Sequence, residues 1–350
     1  MKLHFMTVFL LMFAFQALSA GVIRESKTTV KFKDFGEYTT HETIWLQSLK
    51  KHKESENDFK AQGMMGKMMS KFVFGDRKKG EIIDLEEMKV YDIFHDKKQY
   101  RVRPIEKLTF EESEEHYSPD TEAEYEEDEY KEEESPIKIT RQVFKVVPTG
   151  KSKTINNFPC KEYQIFWVTE WENTETGEKG KDSLFTDVWA TASNQNIEDA
   201  IKEEQEFQKT FMEKVGFPVG METDAILGLN WFKLFRAMNQ ESNNMSDFKG
   251  SKFVQELNKI EGLPILIEGQ YFATRPKPKQ EMQEEKPGLD ITNPGGMFGG
   301  FLKKKLKEKT MKKTAAKGPD FSYRTELIKL EKAPLGDQSF QVPAGYSLIE

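Results

Sequence analysis

The sequence predicts an α+β fold, an antiparallel sheet with about three helices laid on one face. Three observations carry that expectation. Over most of the chain, apolar residues recur with period two in short runs bounded by Gly, Pro, Asn and charged turn residues. The period lengthens to near 3.6 only between residues 195 and 260. The strand-like runs lie before and after that helical stretch and do not alternate with it, which favours an antiparallel sheet over a doubly wound parallel one.

Taken in order, residues 1–20 have the layout of a secretory leader. Lys2 is followed by the apolar run Val8 to Phe15 and then by Ala17-Leu18-Ser19-Ala20, with Gly21 and not Cys next. The run is too short to span a bilayer. The sequence therefore predicts export, to a periplasm or beyond, of a soluble chain without a lipid anchor. Residues 28–39 (Val30, Phe32, Phe35, Tyr38) suggest a first strand. Trp45, Leu46 and Leu49 fit strand or helix. The Met-rich stretch "QGMMGKMMSKFVFG" fits either a loop over the core or an adaptable contact to an apolar ligand. "EIIDLEEMKVYDIFHDKKQYRVRPI", 81 to 105, reads as strand, turn, strand, turn, strand, with Pro104 ending the last or placing it at an edge.

Residues 111 to 134 hold fourteen Asp or Glu and one Lys. Such a block cannot bury enough apolar surface to order itself, and it reads, over 111–136, as a solvated insertion between two strands. Its spacing lacks the order of a calcium loop. Strands resume at 137–147, with Pro148-Thr149-Gly150 a turn and "INNFP" another. Cys160 to Thr169 is an aromatic-rich strand, "NTETGEK" a hairpin turn, and "SLFTDVWAT" its return.

The helical stripe Ile197, Ala200, Ile201, Phe207, Phe211, Val215 follows Asn194 or Asn196 as cap and stops at Gly216. A second helix is expected over 223–240, carrying Ile226, Leu227, Trp231, Leu234, Phe235 and Met238 and apolar on most sides. A third follows Ser246, with Phe253, Val254 and Leu257 inward and Gly262 ending it. "LPILIEGQYFA" returns to strand. Residues 275–320 are low in order, and the last strands are "FSYRTELIKLEK" and a C-terminal "SFQVPAGYSLIE". After the leader, residues 21–350 make one domain.

The net charge of −7 becomes −8 without Lys2, and the acidic tract alone carries −13, so the rest of the mature chain sums to +5. The charge is local and says little about partners. The one cysteine, Cys160, excludes an intrachain disulfide, and its neighbours Phe158, Tyr163, Ile165 and Trp167 mark it as a small buried hydrophobe. His41, His52, His95 and His116 lack metal-ligand spacing, and no nucleophile elbow or phosphate loop appears. The residues point to no enzyme, no cofactor and no metal. Residues 303–317 hold eight Lys and one Glu. Phe298, Phe301, Leu302 and Leu306 can form one apolar side there, with Lys303, Lys304, Lys305 and Lys307 on the other. Such a segment, 298–317, suits an anionic membrane surface or a solvated linker, and nucleic acid is not expected of it.

"GEIIDLEEMKVYDIFHDKKQY" resembles the central meander of periplasmic lipoprotein-localisation carriers, in which a strand ending in Tyr-Asp runs into a charged turn; Tyr91-Asp92 and Asp96-Lys97-Lys98 fill those places. "TINNFPCKEYQIFW" and "FQVPAGY" resemble an uncharacterised branch of bacterial exported proteins, a domain of unknown function. The likeness touches about a third of the mature chain. It implies a strongly curved antiparallel sheet, an open half-barrel, with helices across the concave face and an acyl chain held between. On that implication, Leu227, Trp231, Phe235 and Met238 line a site for a lipid or other apolar ligand. The alternative is a filled core, in a structural or interaction protein whose acidic and Lys-rich loops meet partners or the membrane.

Overall fold

The computed structural model describes residues 20–63, 66, 77–107, 137–216, 225–226, 229–230, 252–273 and 318–349. Residues of alternating polarity build hairpins from the start. Strands β1 (Ala20–Phe32) and β2 (Gly36–Gln47) pair antiparallel from Val22↔Leu46 to Phe32↔Gly36. The single strand expected over 28–39 is thus broken at 33–35, where Asp34 takes φ 70, a left-handed turn that a short polar side chain tolerates. A second tight turn, with Ser48 at φ 49, leads into β3 (Lys50–Ala61), so Trp45 and Leu46 lie on a strand.

The meander expected over 81–105 is present as β4 (Lys78–Asp84), β5 (Lys89–Phe94) and β6 (Gln99–Pro104). Asp84 shapes its first turn, its Oδ1 accepting from the backbone N–H of Glu86 and of Glu87, both at 2.9 Å. A 3-10 turn, His95–Lys97, makes the second and ends on Lys98 at φ 50.

Strands β7 (Ile137–Ile155), β8 (Phe158–Asn173) and β9 (Lys179–Thr191) follow. Asn156 and Asn157, at φ 48 and 68, form the two-residue turn that Asn favours in hairpins. The turn expected at Pro148-Thr149-Gly150 is instead a bulge. Strand β7 continues, and its register slips from Pro148↔Tyr163 to Ser152↔Lys161.

Helix α1 (Gln195–Val215) begins where expected, with Asn194 Oδ1 accepting from Ile197 N at 3.1 Å, and ends on Gly216 at φ 81. The start of the second expected helix is corrected: β10 (Ala225–Ile226) and β11 (Leu229–Asn230) pair antiparallel. The two residues between them in sequence are Leu227-Gly228, and a glycine in so short a connection is a hairpin signal that outweighs apolar periodicity. Helix α2 (Lys252–Leu257) buries Phe253, and β12 (Leu263–Ala273) and β13 (Phe321–Pro334) match the expected strands. The C-terminal stretch contributes only a 3-10 turn, Asp337–Phe340, and the two-residue β14 (Ser347–Leu348).

Twelve strands form one open sheet in the order β14-β6-β5-β4-β3-β2-β1-β13-β12-β9-β8-β7. Neighbours are antiparallel except β14 with β6. Two meanders, β1 to β6 and β7-β8-β9-β12-β13, are therefore joined along the seam between β1 and β13, while β10 and β11 form a separate two-stranded sheet. Strands β6 and β7, consecutive in sequence, are separated by nine other strands. The acidic tract thus does not connect paired neighbours but links opposite sides of the sheet.

Both α-helices of the described residues lie on one face, α1 against β1, β2 and β13, α2 against β7. Under α1 sit Val22, Ile44, Leu46 and Leu85 with Ala200 and Phe207 of the helix. The opposite face is covered in the first meander by residues 335–346, whose Leu335, Phe340, Val342 and Tyr346 pack on Ile82, Ile93, Trp45, Tyr91 and Tyr100.

Candidate functional site

Cross-strand register assembles one row of large side chains on the helix face. It runs Phe32↔Phe321↔Tyr271↔Leu184↔Trp167↔Phe144, from β1 through β13, β12, β9 and β8 to β7. Tyr271 and Phe321 stack with centroids 5.0 Å apart, and Phe144 meets Trp167 edge-on at 5.5 Å. Helix α2 sets Phe253 over the far end, 4.1 Å from Phe144 and 5.4 Å from Trp167. Glu256, one turn further, accepts a hydrogen bond from Val146 N at 2.8 Å and holds α2 to the outer edge of β7.

The row on one side is Val146↔Ile165↔Thr186↔Gly269↔Tyr323↔Val30. Tyr323 lies across Gly269, where a Cβ would stand 2.2 Å from its ring, and so its hydroxyl reaches Thr186 Oγ1 at 3.0 Å. Burial pushes this phenol up to about 12, against the opposing hydrogen bond from Thr186.

The row on the other side is polar: Gln142↔Thr169↔Asp182↔Ala273. Thr169 is 6% exposed and Asp182 3%. Two residues along β8, on the same face, Trp171 is 4% exposed. Thr169 Oγ1 and Trp171 Nε1 are both buried with no hydrogen-bond partner among the described residues. A buried donor left unpaired costs about 1–3 kcal/mol, so such groups ask for an explanation. Here they stand at the margin of an aromatic shelf, an apolar surface with polar groups along one side.

The other face carries a second constellation. Glu54 Oε1 is 3.0 Å from His52 Nε2 and 2.8 Å from His95 Nε2. His52 Nδ1 lies 2.7 Å from the Ser339 carbonyl oxygen, and His95 Nδ1 lies 2.8 Å from the Tyr346 hydroxyl. Gly80, paired with Glu54 in the β3–β4 register, makes room, since a Cβ there would come within 2.7 Å of Glu54 Oε1. Burial pushes the Glu54 carboxyl up, but the hydrogen bond from His52 and the charge of His95 outweigh it and hold the carboxyl below its ordinary range. Among the described residues no group of three or more His, Cys, Asp or Glu is arranged to hold a metal ion.

Of the residues singled out from sequence, Leu227, Trp231, Phe235 and Met238 lie outside the described residues, as do Phe298, Phe301, Leu302, Lys303, Lys304, Lys305, Leu306 and Lys307. Cys160 is 2% exposed, packs with Trp189, Ile265, Leu266 and Leu327, and has its thiol pushed up by burial. Sequence reasoning passed over Thr169, Trp171 and Asp182 because only strand pairing makes neighbours of them. It set aside His52 and His95 for the same reason, testing sequence spacing where the contacts run between strands. No helix among the described residues is long and apolar enough to cross a membrane.

Compared with known protein families, characterised proteins and solved structures, the chain finds no match. The resemblance to lipoprotein-localisation carriers rests on the quoted stretches alone.

Proposed function

We propose that the protein is an exported, non-enzymatic component of a cell envelope, soluble and without a lipid anchor. It holds an apolar molecule, a lipid or acyl chain, against the helix face of the sheet. In this reading the sheet curves around the ligand as an open half-barrel, Leu227, Trp231, Phe235 and Met238 belong to its apolar lining, and the Lys-rich segment 298–317 meets an anionic membrane surface. The observation that carries the reading is the aromatic row from Phe32 to Phe144 flanked by the unpaired Thr169 hydroxyl and Trp171 indole N–H. An acyl chain suits the row, and a head-group oxygen suits the two donors. Asp182, the register partner of Thr169, disfavours a second carboxylate beside it and selects a neutral ester or amide head.

A titration of the protein with a fluorescent monoacylglycerol tests this, together with native mass spectrometry for a co-purifying lipid. Trp171→Phe and Thr169→Val are expected to weaken binding about tenfold each, the worth of ~1.4 kcal/mol. Thr169→Val should not lower stability in urea, because it removes a polar group left unpaired among the described residues, whereas Trp171→Phe also vacates buried ring volume and is read by binding alone. A second reading, an interaction protein with a filled core, is favoured by the close contact of Phe253 with Phe144 and Trp167. No saturable binding and no co-purifying lipid would select it.

A further inference from the structure

The hydrogen-bond pattern around His52 constrains its protons. The Ser339 carbonyl oxygen can only accept, so the His52 Nδ1 at 2.7 Å from it carries a hydrogen. Nε2 faces a Glu54 oxygen at 3.0 Å. A neutral imidazole protonated at Nδ1 would present a lone pair there, against the lone pairs of a carboxylate. The contact is attractive only if one further proton lies between His52 and Glu54. His95 adds no such demand, because the Tyr346 hydroxyl can donate to its Nδ1 while Nε2–H donates to Glu54.

We propose that a single proton held between His52 and Glu54 latches the C-terminal segment, residues 335–349, onto the sheet, and that its loss as pH rises releases that segment. The geometry gives the imidazole two donors, Nδ1–H to the Ser339 carbonyl and Nε2–H to Glu54, and this contact helps to hold the Glu54 carboxyl below its ordinary range. The charged and titratable groups facing the pair are few: His95 beyond β5, Tyr346 on the segment itself, and Lys78 of β4, 3.9 Å from Glu54 Oε2. Trp45 covers the His52 ring with centroids 5.1 Å apart.

Among the described residues, its other polar ties to the sheet include the Tyr346 hydroxyl with His95 Nδ1, at 2.8 Å, and two backbone bonds. Ser347 N donates to Lys98 O at 3.0 Å and Ile349 N to Tyr100 O at 2.8 Å. Beneath it lie Ile82 and Ile93, each 1% exposed, so release uncovers apolar surface on the face away from the helices. Without that proton a bare Nε2 lone pair faces the Glu54 oxygen, so the latch is closed in acid and opens toward base. Its acid limit is set by Glu54. With the carboxyl lowered, its contribution is present above the ordinary carboxylate range and disappears as pH falls below it.

Amide hydrogen exchange on the full-length protein reads the latch directly, at Ser347 and Ile349. Protection factors, already corrected for intrinsic exchange, are expected to fall about tenfold between pH ~5.5 and ~8.5, on either side of the ordinary imidazole range. In His52→Gln the fall should vanish. Nitrogen-15 spectra of the wild type should show both ring nitrogens of His52 protonated at the lower pH. The proposal is overturned by equal protection at the two pH values, by a pH dependence that survives in His52→Gln, or by a bare ring nitrogen on His52 at the lower pH. The spectrum of the wild type decides the matter if the variant does not fold.

Discussion

Tyr323 occupies the volume that any side chain at position 269 would need. That one glycine lets a phenol lie flat across β12, so that its hydroxyl reaches Thr186 two strands away. Gly269→Ala forces the ring aside and breaks the bond. The expected cost is ~1–3 kcal/mol, measured as a shift of the urea midpoint. A midpoint within error of wild type would mean that the ring relaxes freely and that the row is not tightly packed. The same residue-scale economy appears at Gly80, whose missing side chain admits Glu54 and His95. In both places the sequence offers a glycine inside a strand, which reads only as a weak or bulged position until the neighbouring strand is known.

At the scale of elements, α1 is the clearest case of local information deciding structure. Its cap, its apolar stripe and its stop residue all stand in the sequence. Asn194→Ala should therefore lower stability by about 1 kcal/mol, read by circular dichroism in denaturant, while Asn194→Asp should be nearly neutral. The meander of β4, β5 and β6 was equally legible, since each turn is written in adjacent charged residues. The region after α1 was not. Residues 223–240 have the composition of a buried helix, yet Ala225–Ile226 pairs with Leu229–Asn230. The bulge at Pro148 was also illegible, because a turn and a bulge share Pro, Thr and Gly and differ only in what the partner strand does. The aromatic shelf and the histidine pair were illegible in the same sense. Phe32 and Phe321 become neighbours by pairing across the sheet, His52 and His95 meet at Glu54 only because β3, β4 and β5 pair in turn, and no local pattern encodes pairing.

On the scale of the molecule, the connection from β6 to β7 sets a geometric demand. The two strands are ten strand spacings apart, ~48 Å across a flat sheet. Ten antiparallel steps also leave them running in the same direction, so the connection must travel back along the sheet as well as across it. Replacing 112–134 by a Gly-Ser linker of equal length should keep a cooperative unfolding transition and reduce its dependence on salt. A five-residue linker leaves only 108–111, 135–136 and the insert to cross, a reach of ~37 Å at full extension. It should abolish the monomeric fold or force exchange of the second meander between copies. Cooperative monomeric unfolding with the short linker would show the sides of the sheet to be close together, as a strongly curved half-barrel requires.

The seam between β1 and β13 has a temporal consequence. Phe32 and Phe321 are partners 289 positions apart. At ~5–20 residues per second, β1 waits about 15–60 s after its own synthesis for the strand that completes its ladder. Through that interval β1 can pair with β2 alone, and its other edge offers unsatisfied N–H and C=O groups to any extended chain nearby. Each meander can form early from local hairpins, whereas joining them is a contact of very high order and hence slow. A nascent chain of this design therefore depends on being kept from its neighbours until β13 has been made.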